Sequence, residues 1–282
     1  MMSTAVTGAT RPATRHAGDG GLKLLHSAGA TWLTLAVIGQ LMLAAYVVGF
    51  YLRTAVTGDW QRWNQAMPVG YVEGDLIGNL VLGLHLLFTV FIIAGAALQL
   101  APQVRRRWPR FHRWNGRFYL LSAVIMSLGG LYLVWSRESP KGSPIQDVAI
   151  SINALLILAC AAAALHFARG KRFEQHKRWA LRLFLVVSGV WFFRVGLTFW
   201  LLVNQGPVGF DPKTLTGPFV VFLGFAQYLL PLVLLEAYFR AGDSHSSYAR
   251  LSMSACLGLF TLITATGIFA AAMMLWLPRL TA

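Results

Sequence analysis

The sequence is poor in charge and in cysteine. Charged residues make up only 12% of the 282 residues, and there are 2 cysteines. A soluble domain carries about a quarter charged residues, so the composition argues against a soluble enzyme and against a disordered chain. Cys160 and Cys256 each lie inside an apolar run. They provide neither a disulfide framework nor the spacing of a metal site, and we interpret them as free thiols.

Acidic residues are the scarcest charged class. There are 10 Asp and Glu against 24 Lys and Arg, a formal net charge of +14. In a soluble protein this excess would suggest a nucleic-acid partner. Here 56% of the residues are hydrophobic, the mean hydropathy is +0.58, and the basic residues lie between apolar runs. The pattern therefore predicts a lipid bilayer as partner and no nucleic acid.

The apolar residues form seven runs that are long enough to cross a membrane, which takes roughly 20 residues. The runs cover residues 28–51, 76–101, 111–135, 148–168, 179–203, 218–239 and 251–277. They are continuously apolar and do not alternate with a period of two, which excludes a transmembrane β-barrel. The sequence predicts an all-α polytopic membrane protein with seven transmembrane helices.

The distribution of Lys and Arg predicts the orientation of these helices. With the N-terminus inside, 17 of the 24 Lys and Arg residues fall in inner segments and 6 in outer segments. We expect a bacterial cytoplasmic (inner) membrane protein with the N-terminus inside and the C-terminus outside. Residues 1–27 are polar and basic, and the first apolar run begins too late for a signal peptide. We expect a disordered cytoplasmic tail over 1–27 and a single membrane domain over 28–282.

Two inner loops are similar to each other. The loop between spans two and three reads RRRWPRFHRWNGR, and the loop between spans four and five reads ARGKRFEQHKRWALR. Each has a basic cluster, then Phe, His, Arg-Trp and Arg in that order. The alternative is that any inner loop is basic and carries an interfacial Trp. We favour a duplicated helix pair, which predicts a four-helix core over residues 76–203.

The segments FHRWNGR and HKRWALR resemble a widespread bacterial family of membrane proteins of unknown function. The resemblance covers the four-helix core, from about Leu76 to Trp200. More loosely, histidines on successive spans resemble the diheme transmembrane cytochromes b. That second resemblance implies electron transfer through b-type haem.

The histidines that would hold such a haem lie near the inner ends of the spans. In the diheme cytochromes, spans related like three and five share one haem, so the resemblance implies His112 and His176 as axial ligands, with His166 as a substitute. A second haem would need a partner for His85 on span four, where Asn153 stands. At most one haem b is therefore expected. Alternatively, the inner histidines beside Arg and Lys face water or lipid headgroups.

A layer of polar residues is predicted in the outer half of the core. Ionisable residues inside a span are costly and usually face the bundle interior. His85 and Arg194 lie at the same depth by helical rise, and three polar residues lie within a turn or two of it, namely Asn153, Gln227 and Tyr132. We predict a pocket here for a quinone or a small anion. The alternative is a structural polar network.

Glu236 and Arg182 lie at a common inward depth on spans six and five. An ion pair explains both charges inside the membrane. We therefore assign this pair a structural role.

The leading hypothesis is an integral membrane redox protein of cytochrome-b type, which passes electrons between a quinone-like or small reductant and a haem. The alternatives are a non-enzymatic carrier or sensor of a small anion, or an accessory membrane subunit. The sequence has no Ser-His-Asp, paired-carboxylate or metalloprotease motif that would indicate hydrolysis. It therefore leaves open whether the protein is an enzyme, and it also leaves open the oligomeric state.

Overall fold

The computed structural model describes residues 14–67, 70–136 and 144–281, with the side chains described from residue 20. Within these residues the chain is helical, apart from turns and one isolated antiparallel bridge between Asp211 and Thr216. The α-helices are α1 Thr14–Tyr46, α2 Arg53–Val56, α3 Leu76–Leu100, α4 Pro102–Arg107, α5 Pro109–Ser136, α6 Pro144–Arg169, α7 Phe173–Val187, α8 Gly189–Asn204, α9 Pro218–Asp243, α10 Ser247–Ala271 and α11 Leu277–Thr281. π-Helical segments cover Val47–Leu52 and Ala272–Trp276, and a 3₁₀ helix covers Trp60–Gln65. The predicted all-α fold is confirmed.

Helix starts follow local sequence signals. Prolines occupy the first positions of α4, α5, α6 and α9, where the missing N–H is not needed and the fixed φ suits a helix. Asp75 caps α3 by accepting a hydrogen bond from the Gly78 N–H at 2.8 Å. Ser246 caps α10 in the same way, through the Ala249 N–H at 3.3 Å.

Six helices in the described part of the chain are long and apolar enough to cross a membrane, or seven spans if α7 and α8 form one. The sequence predicted a single continuous helix over 179–203. The structure instead bends by 53° between α7 and α8, at Ser188. The Ser188 hydroxyl donates to the Phe184 carbonyl at 2.6 Å and accepts from Gln40 Nε2 at 2.8 Å. A Ser-Gly pair is a common site for a helix break, which explains the difference.

The first span begins earlier than its hydropathy indicates. α1 begins at Thr14, whereas the apolar run begins at residue 28. Leu25 is fully buried and packs against Ala241, Met253 and Leu257. Residues 14–27, which were expected in a disordered tail, are therefore helical. The rest of that tail, residues 1–13, lies outside the described residues.

The predicted core over 76–203 forms a chain of neighbouring helices. α3 packs on α5, α5 on α6, and α6 on α7, while α1 pairs with α10 and α10 packs on α8. The alternating direction of the helices places the α3–α5, α6–α7 and α9–α10 connections at one end, here called the basic end. The opposite end is called the far end. At the basic end, an ion pair of 2.7 Å between Arg178 and Asp243 joins the start of α7 to the end of α9.

Two glycines allow the flanking helices to approach the core closely. A Cβ on Gly39 of α1 would lie 2.6 Å from Ile268 of α10 and 2.7 Å from Trp191 of α8. A Cβ on Gly267 would lie 2.6 Å from the Val195 carbonyl oxygen. Small residues at these crossings permit tight backbone packing, as in other membrane bundles. The first half of α8, which carries Arg194, is thereby held against α1 and α10.

Candidate functional site

The start of α5 is fixed to the end of α3 by two amide side chains. Gln99 Nε2 donates to the His112 carbonyl at 2.7 Å, and Asn115 Nδ2 donates to the Gly95 carbonyl at 2.9 Å. A Cβ on Gly95 would lie only 3.4 Å from Asn115 Oδ1, so this close approach suits a glycine. The backbone of His112 therefore has a defined position at the basic end.

His176 is held by the neighbouring helix α6. Its Nδ1 lies 2.9 Å from the carbonyl oxygen of Ala164. A carbonyl oxygen can only accept, so Nδ1 carries the proton and Nε2 is the other ring nitrogen. Metal-ligating histidines commonly donate one ring N–H to a backbone carbonyl, which fixes the tautomer and the ring orientation. The His176 ring has this arrangement.

His112 and His176 lie on α5 and α7, which both pack against α6. The electrostatic influence of His176 extends to His112. His112 Nδ1 is buried and has no hydrogen-bond partner among the described residues. His166 is exposed and its ring lies edge-on to the adjacent Phe167 at 5.2 Å.

The donor set at the basic end suits a haem better than a bare metal ion. No group of three His, Cys, Asp or Glu side chains that could hold a metal ion occurs among the residues that the structure describes. A structural zinc site needs about four protein ligands. Two imidazoles from two helices are the ligand set of a six-coordinate haem iron, whose remaining ligands come from the macrocycle. His112 and His176 therefore fit the ligand requirement of a haem.

The two similar loop segments also share a side-chain contact. The Arg117 guanidinium lies over the Trp114 ring at 4.9 Å from its centroid, and the Arg182 guanidinium lies over the Trp179 ring at 4.6 Å. In each case the Arg follows the Trp by three residues, which places both on one helix face. The similarity between the loops therefore extends from sequence to geometry.

The predicted ion pair between Arg182 and Glu236 is confirmed. Arg182 Nε lies 2.6 Å from Glu236 Oε1 and Nη2 lies 3.0 Å from Oε2, a bidentate contact. The Arg182 guanidinium also lies 5.5 Å from the centroid of the Phe239 ring. Both charges are thus compensated, as a charge in a membrane span requires.

Arg194 has a different environment at the far end. Its hydrogen bond is a long one, 3.4 Å from Nη1 to the Val190 carbonyl of its own helix. Among the described residues it forms no ion pair. Its charge acts on three side chains from other helices, His85, Tyr46 and Tyr51. Electrostatics thus links Arg194 to His85 and to two tyrosines.

Tyr46 and Tyr51 were not identified from the sequence. Both are buried, at the end of α1 and in the π-helical segment that follows, and their rings lie 5.7 Å apart. The π-helical turn rotates the chain so that Val47, Phe50 and Tyr51 are buried together. Such turns frequently occur at functional sites. The sequence shows two tyrosines at the end of span one, but it does not show that their side chains point into the bundle, because this depends on the π-helical turn.

His85 faces α5. Its Cε1 lies 3.8 Å from the position that a Cβ on Gly130 would occupy. Its Nδ1 is buried and has no hydrogen-bond partner among the described residues. Buried polar groups are normally paired, and an exception indicates strain, catalysis or a group absent from the coordinates.

Asn153 and Gln227 form a separate cluster at the helix break. A Cβ on Gly189 would lie 2.8 Å from Asn153 Nδ2 and 3.5 Å from Gln227 Oε1. Arg194 hydrogen-bonds to neither amide. Tyr132 is 41% exposed on the surface of α5, apart from both clusters. The predicted polar layer is therefore two groups of side chains at different positions along α8.

Comparison with known proteins gives one match. No curated protein and no solved structure is similar enough to the chain to count as a match. The likeness to the diheme cytochromes b therefore rests on the pattern of histidines alone.

The match is to a family model and covers residues 82–230, more than half of the chain. This region contains the histidines and the polar-layer residues singled out from the sequence, whereas Glu236 follows it and Tyr46 and Tyr51 precede it. The resemblance to a membrane-protein family of unknown function is confirmed: the chain belongs to the family described as "Predicted membrane protein (DUF2306)".

Proposed function

We propose that the protein is a redox protein of the bacterial cytoplasmic membrane, with one b-type haem between His112 and His176. The observation that carries this proposal is the His176 ring, whose Nδ1–H is bound to the Ala164 carbonyl of α6, the helix against which the His112-bearing α5 also packs. This leaves one ring nitrogen of His176 available as an axial ligand. A bound haem supplies a one-electron Fe(III)/Fe(II) couple.

The surrounding residues would retain and tune the group. Arg105 and Arg113 place positive charge near His112. These guanidinium groups are suitable partners for the propionate carboxylates of haem. Positive charge also favours the reduced state of the iron, which carries one positive charge less. The residues of the basic end would thus bind the haem and raise its reduction potential.

The far-end group of His85, Arg194, Tyr46 and Tyr51 would bind the reductant. His85 and Gln99 are 14 residues apart on α3, so the far-end group and the basic end are about 21 Å apart along the helix axis. Arg194 can hold a quinone carbonyl or an anionic oxygen, because no carboxylate occupies it among the described residues. The His85 ring and the Tyr51 hydroxyl can exchange protons with such a ligand.

The absorption spectrum of the purified protein tests the haem. We expect a Soret band that shifts on reduction with dithionite. His112→Ala and His176→Ala should each abolish the band or convert it to a high-spin form. His85→Ala and His245→Ala should keep it. A colourless protein from haem-replete cells, or a band that survives both ligand substitutions, would refute the redox function.

The proposed orientation places the basic end in the cytoplasm. The basis is the excess of Lys and Arg at that end. Alkaline phosphatase, which is active only in the periplasm, should be active when fused after Thr281 and inactive when inserted after Arg106. The reverse pattern would overturn the orientation.

A second function is favoured by one observation, the absence of an ion pair for Arg194 among the described residues. The far-end group would then bind a small anion for transport or sensing, without haem. Acetate as the probe should raise the melting temperature of a colourless protein, and Arg194→Leu should remove that increase. Stabilisation by the neutral quinone decylubiquinone and not by acetate would contradict this alternative.

A further inference from the structure

We infer that the protein has a binding groove for one anionic phospholipid at the basic end, between α3, α4 and α5. An open cavity of about 750 Å³ lies where the chain reverses between α3 and α5. Its volume is in the range of roughly 300–1,000 Å³ that is typical of small-molecule sites. The residues that line this groove differ from those assigned to the haem and to the far-end group.

The shape of the groove follows from the short helix α4. α3 ends at Leu100, α4 covers the six residues Pro102–Arg107, and α5 begins at Pro109. Ala101 and Trp108 are not helical, so α4 turns away from both long helices. The groove lies between Leu98 at the end of α3, Val104 of α4 and Phe111 of α5.

The surface of the groove is almost entirely apolar except for two arginines. Leu98, Val104, Trp108 and Phe111 contribute apolar side chains, and Arg107 and Arg110 stand among them. Both arginines are exposed, and neither forms an ion pair or hydrogen bond with any residue that the structure describes. An amphipathic ligand with a negative headgroup and an apolar chain complements this distribution.

The depth of the groove matches that of a lipid headgroup. Trp108, Phe111 and Trp114 are exposed near the start of α5, and tryptophans gather at membrane–water interfaces. Leu98 lies two residues before the end of α3, towards the hydrocarbon. A phosphate held by Arg107 and Arg110 would therefore place an acyl chain along Leu98 and Phe111. Basic pockets beside transmembrane helices are known to bind anionic lipid headgroups in this way.

Native mass spectrometry of the full-length protein, released from detergent with defined lipids, tests the groove. With equimolar dioleoylphosphatidylglycerol and dioleoylphosphatidylcholine, we expect one phosphatidylglycerol to be retained preferentially. Arg107→Gln combined with Arg110→Gln should weaken that binding about thirtyfold, since each basic residue near the surface contributes roughly a factor of five. The matched control is Arg169→Gln with Arg172→Gln, which removes the same charge from the α6–α7 connection and should change retention by less than twofold.

Leu98→Trp separates lipid binding from simple anion binding. Leu98 is exposed, so this substitution fills the groove without disturbing the core. It should reduce phosphatidylglycerol retention, and millimolar inorganic phosphate should not compete with the lipid. The inference would be overturned if phosphatidylcholine were retained equally, or if the control variant lost as much binding. It would also be overturned if inorganic phosphate displaced the lipid and Leu98→Trp had no effect.

Discussion

Two arginines inside one broken span have opposite environments. Arg182 of α7 forms two hydrogen bonds of 2.6 and 3.0 Å to Glu236 and lies over Trp179 and Phe239. Arg194 of α8 has a single bond of 3.4 Å to a carbonyl of its own helix. An isolated charge in a membrane span is costly. The Glu236 carboxylate offsets this cost for Arg182, whereas no carboxylate pairs with Arg194 among the described residues.

The difference separates a structural role from a binding role. A guanidinium that already has a bidentate carboxylate partner has little capacity for a ligand. A guanidinium with one weak bond, whose charge acts on His85 and on two buried tyrosines, retains most of its donors. Substitutions that remove each arginine therefore distinguish the two roles.

The largest effect is expected for Arg182→Leu. It leaves Glu236 without its partner, and breaking a buried pair costs about 3–5 kcal/mol. Because the Glu236 side chain is 42% exposed, we expect a loss of about 2 kcal/mol in the free energy of unfolding. Denaturation in detergent micelles measures it. The double variant Arg182→Leu/Glu236→Leu should recover most of the stability.

The matched control for that experiment is Arg178→Leu. Arg178 also forms an ion pair, with Asp243 at 2.7 Å, but the two side chains are 40% and 60% exposed. Exposed pairs contribute about 0–1 kcal/mol. Equal destabilisation by Arg178→Leu and Arg182→Leu would show that burial of the Arg182 pair has no special weight.

A smaller effect is expected for Gln40→Leu at the helix break. Gln40 is buried and donates to Ser188 at 2.8 Å, which joins α1 to the bend between α7 and α8. Hydrogen bonds between membrane helices contribute about 0.6 kcal/mol on average and up to about 1.7. We expect a loss of about 1 kcal/mol in unfolding free energy and no change in decylubiquinone or acetate binding. A change in ligand affinity without a loss of stability would assign this cluster to the site.

The sequence predicted the features that depend on the distribution of apolar and charged residues along the chain. Continuous apolar runs locate the spans, and the ion pair of Arg182 with Glu236 follows because two opposite charges at one depth have few other partners. The break at Ser188 was missed because the apolar run continues through it. The break lies at a Ser-Gly pair, where Ser188 accepts a tertiary hydrogen bond from Gln40 that hydropathy does not report.

The far-end site was only partly predictable for the same reason. Helical rise predicts a common depth for His85 and Arg194, but rise gives depth and not direction. Tyr132 has the right depth and lies on the exposed face of α5. Tyr51 is turned inward by a π-helical segment that shifts the helical register. The sequence therefore did not predict the direction in which each side chain points around its helix.

Arg194→Leu should affect stability little and binding strongly. Since Arg194 has no ion pair in the described residues, leucine removes the cost of a charge within a membrane span without leaving a partner charge behind. We expect the unfolding free energy to change by less than about 0.5 kcal/mol, the size of ordinary neutral substitutions. Binding of decylubiquinone or acetate should fall at least tenfold. A stability loss as large as that of Arg182→Leu would show that Arg194 is a structural residue.

The smallest effects are expected for a matched pair of tyrosine substitutions that separates depth from direction. Tyr51 is buried near Arg194, whereas Tyr132 is 41% exposed. Tyr51→Phe removes a hydroxyl from the far-end group and keeps the ring, so it should weaken ligand binding by about fivefold, the value of one net hydrogen bond of about 1 kcal/mol. Tyr132→Phe removes the same atom from an exposed face and should leave affinity and stability unchanged. Isothermal titration of both variants with decylubiquinone and with acetate measures the difference. If Tyr132→Phe weakens binding and Tyr51→Phe does not, the ligand lies on the exposed face of α5, and the far-end group around Arg194 is part of the packing.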